Sequence, residues 1–283
     1  MGSQGNAGIT AISAPSRTWL RLLFCAVFVS AGCSSGGSSD VQGDADAATT
    51  AGADSEGSPP KRVDGAACKV HKGDVGAEGV VDLEALAGVC TIEGDVFLTG
   101  GAGNPLNEAA LAQLVNLRVI EGSLIIEDIA AAGLEGLSHL ERIDGDLNIT
   151  ANHYLQRLDG LAALHTIGHD FILRDNDALV AIDTPKLKTI ASGLLVQANP
   201  SLTSLSGLDA VAALDNTVRI VGNQALLGLQ GLEGLRIIGA GGLVVAENQR
   251  LLSVAPLERL ERCGDLLQIR DNRDLVKVSG IFE

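Results

Sequence analysis

His165 and His169 stand four residues apart. On a helix that spacing puts two imidazoles on one face, where they could share a metal ion. Here they flank a turn into an alternating apolar segment with no third ligand in view, so scattered solvated histidines are expected. Cys68, Cys90 and His71 lack the spacing of a metal-binding finger. The run Gly239-Ala240-Gly241-Gly242 has neither a strand–loop–helix context nor a lysine, so it does not read as a phosphate cradle. Asp175-Asn176-Asp177 offers oxygens to a cation but not the alternating ligand loop of known calcium motifs, and a polar turn explains it more simply. The expectation is a chain with no catalytic residue, no metal and no cofactor, and therefore not an enzyme.

The composition says what kind of scaffold would carry so little chemistry. The chain has 283 residues, of which 46% are hydrophobic but only 2% aromatic, with 35 glycines. Ordinary cores use aromatic rings to fill irregular space, whereas a core of Leu, Ile, Val and Ala suits one narrow cross-section repeated many times. The net charge of −15 argues against nucleic acid and against electrostatic adhesion to anionic lipid.

A repeat is present from about Ile92. Ile143-Asp-Gly-Asp-Leu147-Asn-Ile149-Thr-Ala-Asn152 returns as Ile167-Gly-His-Asp-Phe171-Ile-Leu173-Arg-Asp-Asn176. Asparagines fall at Asn152, Asn176, Asn199, Asn223, Asn248 and Asn272, spaced by 24, 23, 24, 25 and 24 residues. Segments such as Leu147-Asn148-Ile149 alternate with period two, so each reads as a short strand with two side chains inward. The asparagine lies where the chain must turn, and its amide has donors and an acceptor, so stacked asparagines are expected to form a buried ladder. The series Leu155, Leu158, Leu161, Leu164 returns along the other wall as 3-10 turn, short helix or extended coil. Gly160, Gly207, Gly231 and Gly280 recur in that return, where the backbone needs a left-handed or tight conformation. No unit buries its apolar wall alone, but about eight stacked units can.

The segments Ile120-Glu-Gly-Ser-Leu-Ile-Ile and Ile143-Asp-Gly-Asp-Leu-Asn-Ile-Thr, with the Asn-x-x-Leu-x-x-Leu that follows, resemble the receptor L domain. That resemblance covers roughly residues 66–283. It implies a right-handed parallel β-solenoid related to leucine-rich repeats, of about eight coils, and a ligand-binding lobe; it brings no catalytic residues. Asp82 to Ala87 reads as a short capping helix with an acid at its start and Gly88 as its stop. Gly100 to Pro105 reads as an insertion in the first coil. At the far end either Phe282 folds over the last coil or a partner covers it, since an open parallel edge invites association; homo-oligomers through this C-terminal edge are one expectation.

The N-terminus reads as an address. Arg17 and Arg21 precede the apolar run Leu22 to Ala31, which is too short for a comfortable membrane span. Val29-Ser30-Ala31-Gly32-Cys33 resembles the lipobox of bacterial lipoproteins, with Ser30 departing from the usual leucine. The resemblance implies a signal peptide over 1–32, lipidation of Cys33, and a bacterial cell-envelope location, outer membrane or cell surface. Residues 33–63 are rich in Ser, Gly, Ala and Asp and read as a disordered tether. The folded unit is then 64–283, held to the membrane by its lipid alone. In an exported chain Cys68 and Cys90 are the natural disulfide, stapling the cap to the first coil. Cys263 takes a slot filled elsewhere by isoleucine, either as a small buried hydrophobe or as an intermolecular disulfide.

If Leu147 and Ile149 point in, Asn148 points out. Its column reads Phe97, Ile125, Asn148, Ile172, Leu195, Arg219, Val244, Gln268. Five of these eight are apolar, where a solvated sheet face should be mostly polar. A contact surface for a protein or glycan partner through Phe97, Ile125, Ile172, Leu195 and Val244 is one reading; plain β-propensity is the other. The expected function is recognition, with a structural, self-associating envelope protein as the alternative.

Overall fold

The computed structural model describes residues 68–76, 83–100 and 106–276. The signal and tether segments, with Cys33, lie outside the described residues, as do Asp82, the Gly101 to Pro105 part of the insertion, Gly280 and Phe282.

The chain winds as a parallel β-solenoid of about eight turns. One wall is an eight-stranded parallel sheet in which each strand pairs with its counterpart one coil away: Val96–Thr99, Leu124–Glu127, Leu147–Thr150, Phe171–Arg174, Leu194–Gln197, Thr217–Val221, Gly242–Ala246 and Leu267–Arg270. A second parallel sheet of six strands runs from Lys69–Lys72 and Val89–Glu93 through short pieces such as Arg142–Ile143 and Thr166–Ile167. The pair Ala213–Leu214 and Ile237–Ile238 lies in the coils that follow. The third wall is the leucine-rich return, with 3-10 turns at Glu135–Leu137, Asp159–Leu161 and Ala255–Leu257.

Every coil sends Leu, Ile and Val inward from all three walls. In the third coil Leu147, Ile149, Leu155, Leu158, Leu161 and Leu164 are wholly buried. The slot next door holds Phe171, the largest fully buried side chain. Gly207 and Gly231 take left-handed backbone, at φ 106° and 107°. Gly160 is needed for another reason: a Cβ there would lie 2.1 Å from the Leu134 carbonyl oxygen of the preceding coil.

The bend after each strand of the large sheet but the first is left-handed too. Asp128, Ala151, Asp175, Ala198, Gly222, Glu247 and Asp271 all have φ between 50° and 72°. Only one of these seven is glycine, so six side chains sit where L-residues are disfavoured. The residue that follows each bend compensates. Asn152 donates its backbone N–H to Asn176 Oδ1 at 3.2 Å and its amide to the Ile126 carbonyl of the previous coil at 3.0 Å. The same pattern passes from Asn176 to Asn199, Asn223, Asn248 and Asn272. In the second coil the slot holds Ile129, whose N–H donates to Asn152 Oδ1 at 3.1 Å and so starts the ladder.

A second ladder runs along the opposite end of these strands. Asp74 Oδ1 accepts the Asp95 N–H, and Asp95 Oδ1 that of Ser123. Ser123 Oγ accepts the Asp146 N–H, Asp146 Oδ1 that of Asp170, and Asp170 Oδ1 that of Gly193. Each carboxylate thereby satisfies a backbone donor at the tight turn into the next strand.

The first coil is covered by the strand Lys69–Lys72 and by Val75, which bridges Val96; Cys68 and Cys90 form a disulfide across this cap. The capping helix expected over Asp82 to Ala87 is, in its described part, a single 3-10 turn at Glu84–Leu86. Leu83 supplies no side-chain cap, and the chain turns at Gly88 (φ 78°) directly into Val89–Glu93. One turn without a cap does not propagate as α-helix. A one-turn α-helix occurs instead at Glu108–Leu111, where Asn107 caps the Ala110 N–H at 3.0 Å. Cys263 is buried.

Candidate interaction face

The pairing register places Phe97, Ile125, Asn148, Ile172, Leu195, Arg219, Val244 and Gln268 in one continuous column on the outside of the large sheet. Parallel strands in register bring equivalent side chains one strand spacing, about 4.8 Å, apart. Phe97, Ile125, Ile172 and Leu195 are half-buried, each shielded on its flanks by its neighbours in the column. Val244 differs from the expectation of an accessible contact residue: it is 2% exposed. It lies in register between Arg219 and Gln268, two long side chains that flank it on both strands. The accessible apolar part of the stripe is therefore the Phe97 to Leu195 half. The adjoining column carries Glu127, Arg174, Gln197 and Arg270 and forms a polar margin.

A hollow of about 220 Å³ opens on this face, lined by Asp170, Ile172, Gly193, Leu195, Asn216 and Arg219, among others. Its cause is local. Gly193 stands where the aspartate ladder would next place a side chain, so the wall is missing for one coil. Of the three arginines on the large sheet, Arg174 pairs with Asp175 at 3.3 Å and Arg270 with Asp271 at 2.7 Å. Arg219 has no acidic partner among the described residues and stands exposed between Leu195 and Val244.

The histidines are dispersed. His153 meets Asp177 at 2.6 Å, His169 approaches Asp146 at 3.9 Å, and His165 bonds its neighbour Thr166. Among the described residues no group of three or more His, Cys, Asp or Glu is placed to hold a metal ion. Among the described residues one carboxylate is clearly shifted: Glu108 is held below the usual range by the Ala132 N–H, which donates to it at 2.7 Å.

A further apolar column, not anticipated from the sequence, lies on the return wall. Leu227, Leu252 and Val276 are stacked there through backbone hydrogen bonds such as Leu252 N–H to Leu227 O, with Val180 beyond Thr203 in the same column, and Val180, Leu227, Leu252 and Val276 are exposed by 44%, 42%, 47% and 84%. They occupy the position just after the buried leucine of each coil. In pairs such as Leu226-Leu227 and Leu251-Leu252 the sequence does not tell the inward member from the outward one.

Comparison with known families finds a similarity for one stretch of this solenoid. Residues 116–210 match the receptor L domain. The coils on either side of the matched stretch continue the same repeat. The matched stretch contains Ile125, Ile172, Leu195 and Gly193, the apolar half of the stripe and the gap that opens the hollow. The family points to a ligand-binding role. No curated protein and no solved structure matches the chain.

Proposed function

We propose that the chain is an exported, lipid-anchored recognition module, without catalytic activity, that binds a protein or glycan partner through the outer face of its large sheet. The observation that carries this reading is the in-register column of Phe97, Ile125, Ile172 and Leu195 with a polar margin beside it. Such a column on a rigid scaffold loses little conformational entropy on binding. The lipobox-like Val29 to Cys33 segment supports an envelope location, with a tether that holds the solenoid away from the bilayer.

The test replaces Ile125, Ile172 and Leu195 together by Ser or Thr. Crosslinking and pull-down from the native envelope should lose the partner while circular dichroism stays unchanged. Undiminished capture refutes the reading. Cys33→Ser should release the chain from the membrane fraction and abolish fatty-acid labelling.

A second reading is favoured by a separate observation. In the last described strand the inward-facing Leu267 and Ile269 are half exposed, unlike their counterparts in earlier coils. That end would pack against a second copy, making the protein a self-associating envelope component. Light scattering on a soluble fragment from Asp64 separates the two: a monomer at micromolar concentration argues for recognition, a defined oligomer for self-assembly.

A further inference from the structure

We infer that the hollow beside Gly193 receives the carboxy-terminal end of a peptide, its carboxylate on Arg219 and its last, apolar side chain on Ile172 and Leu195. The inference rests on the reading of the outer face as the recognition surface and narrows it to one chemistry.

The polar groups around the hollow are arranged by sign. The strand Thr217–Val221 contributes the Arg219 side chain, without an acidic partner among the described residues, and Asn216, just before that strand, lines the hollow as well. The Asn216 side-chain oxygen takes the Thr217 hydroxyl at 3.3 Å, which leaves its NH₂ as a donor. The planar guanidinium by itself matches the two oxygens of a carboxylate, and the Asn216 amide is a further donor at the rim. At the other side stands Asp170, whose Oδ1 already accepts the Gly193 N–H at 2.7 Å and whose carboxylate keeps further acceptor capacity. The floor between them is aliphatic.

The span fits a short peptide. Asp170 directly precedes the strand Phe171–Arg174, two strand spacings from that of Arg219, and Arg219 lies two residues further along, which makes about 12 Å in all. An extended chain covers that in about three residues. The ligand therefore carries its carboxylate at one end, an apolar side chain in the middle of the hollow, and an N–H or ammonium group toward Asp170. A chain end suits the site better than a passing segment, because the column beyond Arg219 continues with the buried Val244. A sugar ring would favour an aromatic platform, and neither floor residue is aromatic.

Gly193 is what keeps the hollow open. A Cβ there would lie 3.0 Å from Asp170 Oδ1 and 3.0 Å from the Thr217 carbonyl oxygen, so a side chain would crowd both at the rim of the hollow.

The experiment titrates the full isotope-labelled chain with the tripeptide Lys-Ala-Leu as the free acid and as its carboxamide. The free acid should shift the amide signals of Ile172, Gly193, Leu195 and Arg219 and saturate, with the carboxamide binding about tenfold more weakly for the loss of one charge-assisted contact. Arg219→Gln should bind the acid as weakly as the wild type binds the carboxamide, with an unchanged thermal midpoint. Gly193→Ser should abolish binding; Arg219→Gln keeps the test valid if that variant fails to fold. Equal binding of acid and carboxamide overturns the inference, as does a retained preference in Arg219→Gln. So does equal binding of an amidated peptide with an internal glutamate, or saturation by glucuronate in place of the peptide. If the Ile125, Ile172 and Leu195 replacement abolishes partner capture while Arg219→Gln leaves it intact, the face reading stands and the assignment of the hollow falls.

Discussion

Asn176 Oδ1 accepts two hydrogen bonds from Asn152, one from its backbone N–H at 3.2 Å and one from its side-chain amide at 3.1 Å. Both residues are wholly buried, and Asn176 in turn donates to the Ile149 carbonyl at 2.9 Å. Asn176→Ala would strand the buried backbone N–H of Asn152 and remove the side-chain donor to the Ile149 carbonyl, while the Asn152 amide keeps Ile126 and Thr150. Each such group costs about 1–3 kcal/mol when left unpaired, so the variant should lose about 3 kcal/mol or more in urea denaturation. Asn272→Ala, at the half-buried end of the ladder, should lose less.

Reduction acts at the other end of the molecule. The Cys68–Cys90 bridge closes a loop with a sequence separation of 22, worth about 3 kcal/mol in the chain-entropy picture. Cys90→Ser should lower the melting temperature and speed hydrogen exchange in Lys69–Lys72, while the Asn176 region keeps its protection. Uniform loss of protection would show that the cap and the later coils unfold as one unit.

Acid should weaken the first return through Glu108. The Ala132 N–H holds its carboxyl below the ordinary value of 4.5 in the folded chain. The unfolded chain thus takes up this proton first as pH falls, so the contribution to stability is complete above about 4.5 and disappears as pH falls through the lowered folded value. Glu108→Gln should flatten that part of the stability–pH curve; an identical acid limb in both proteins would rule the contact out as a source.

The repeat was readable because two periods coincide in it. Alternation in Leu147-Asn148-Ile149 gives the inward and outward sides of a strand, and the return of Asn152 as Asn176 gives the coil length. Together they place the outer column without reference to coordinates. The aspartate ladder left a signal as well, since Gly94-Asp95, Gly122-Ser123 and Gly145-Asp146 each precede a strand. Its meaning needs the neighbouring coil, because each acceptor serves a backbone donor more than twenty residues away. The hollow was not readable at all. It arises from what Gly193 lacks, and a missing side chain in one coil looks in sequence like any other glycine. The burial of Val244 and the exposure of Leu227 escaped for a related reason: both depend on neighbours two dozen residues away along the chain.

The spacing between ladder asparagines varies from 23 to 25 residues, yet the step from the first inward residue of a strand to its asparagine does not. It is the same from Leu147 to Asn152, from Phe171 to Asn176 and from Leu243 to Asn248. All the play in coil length therefore falls outside the strand-and-bend segment that presents the outer face. A residue gained or lost in a return leaves that face undisturbed, whereas one gained inside a strand would turn its side chains over and break both ladders. Whole coils are interchangeable units on the same terms, so this architecture can be lengthened, shortened or recombined by loop-to-loop exchange while the surface it displays stays in phase.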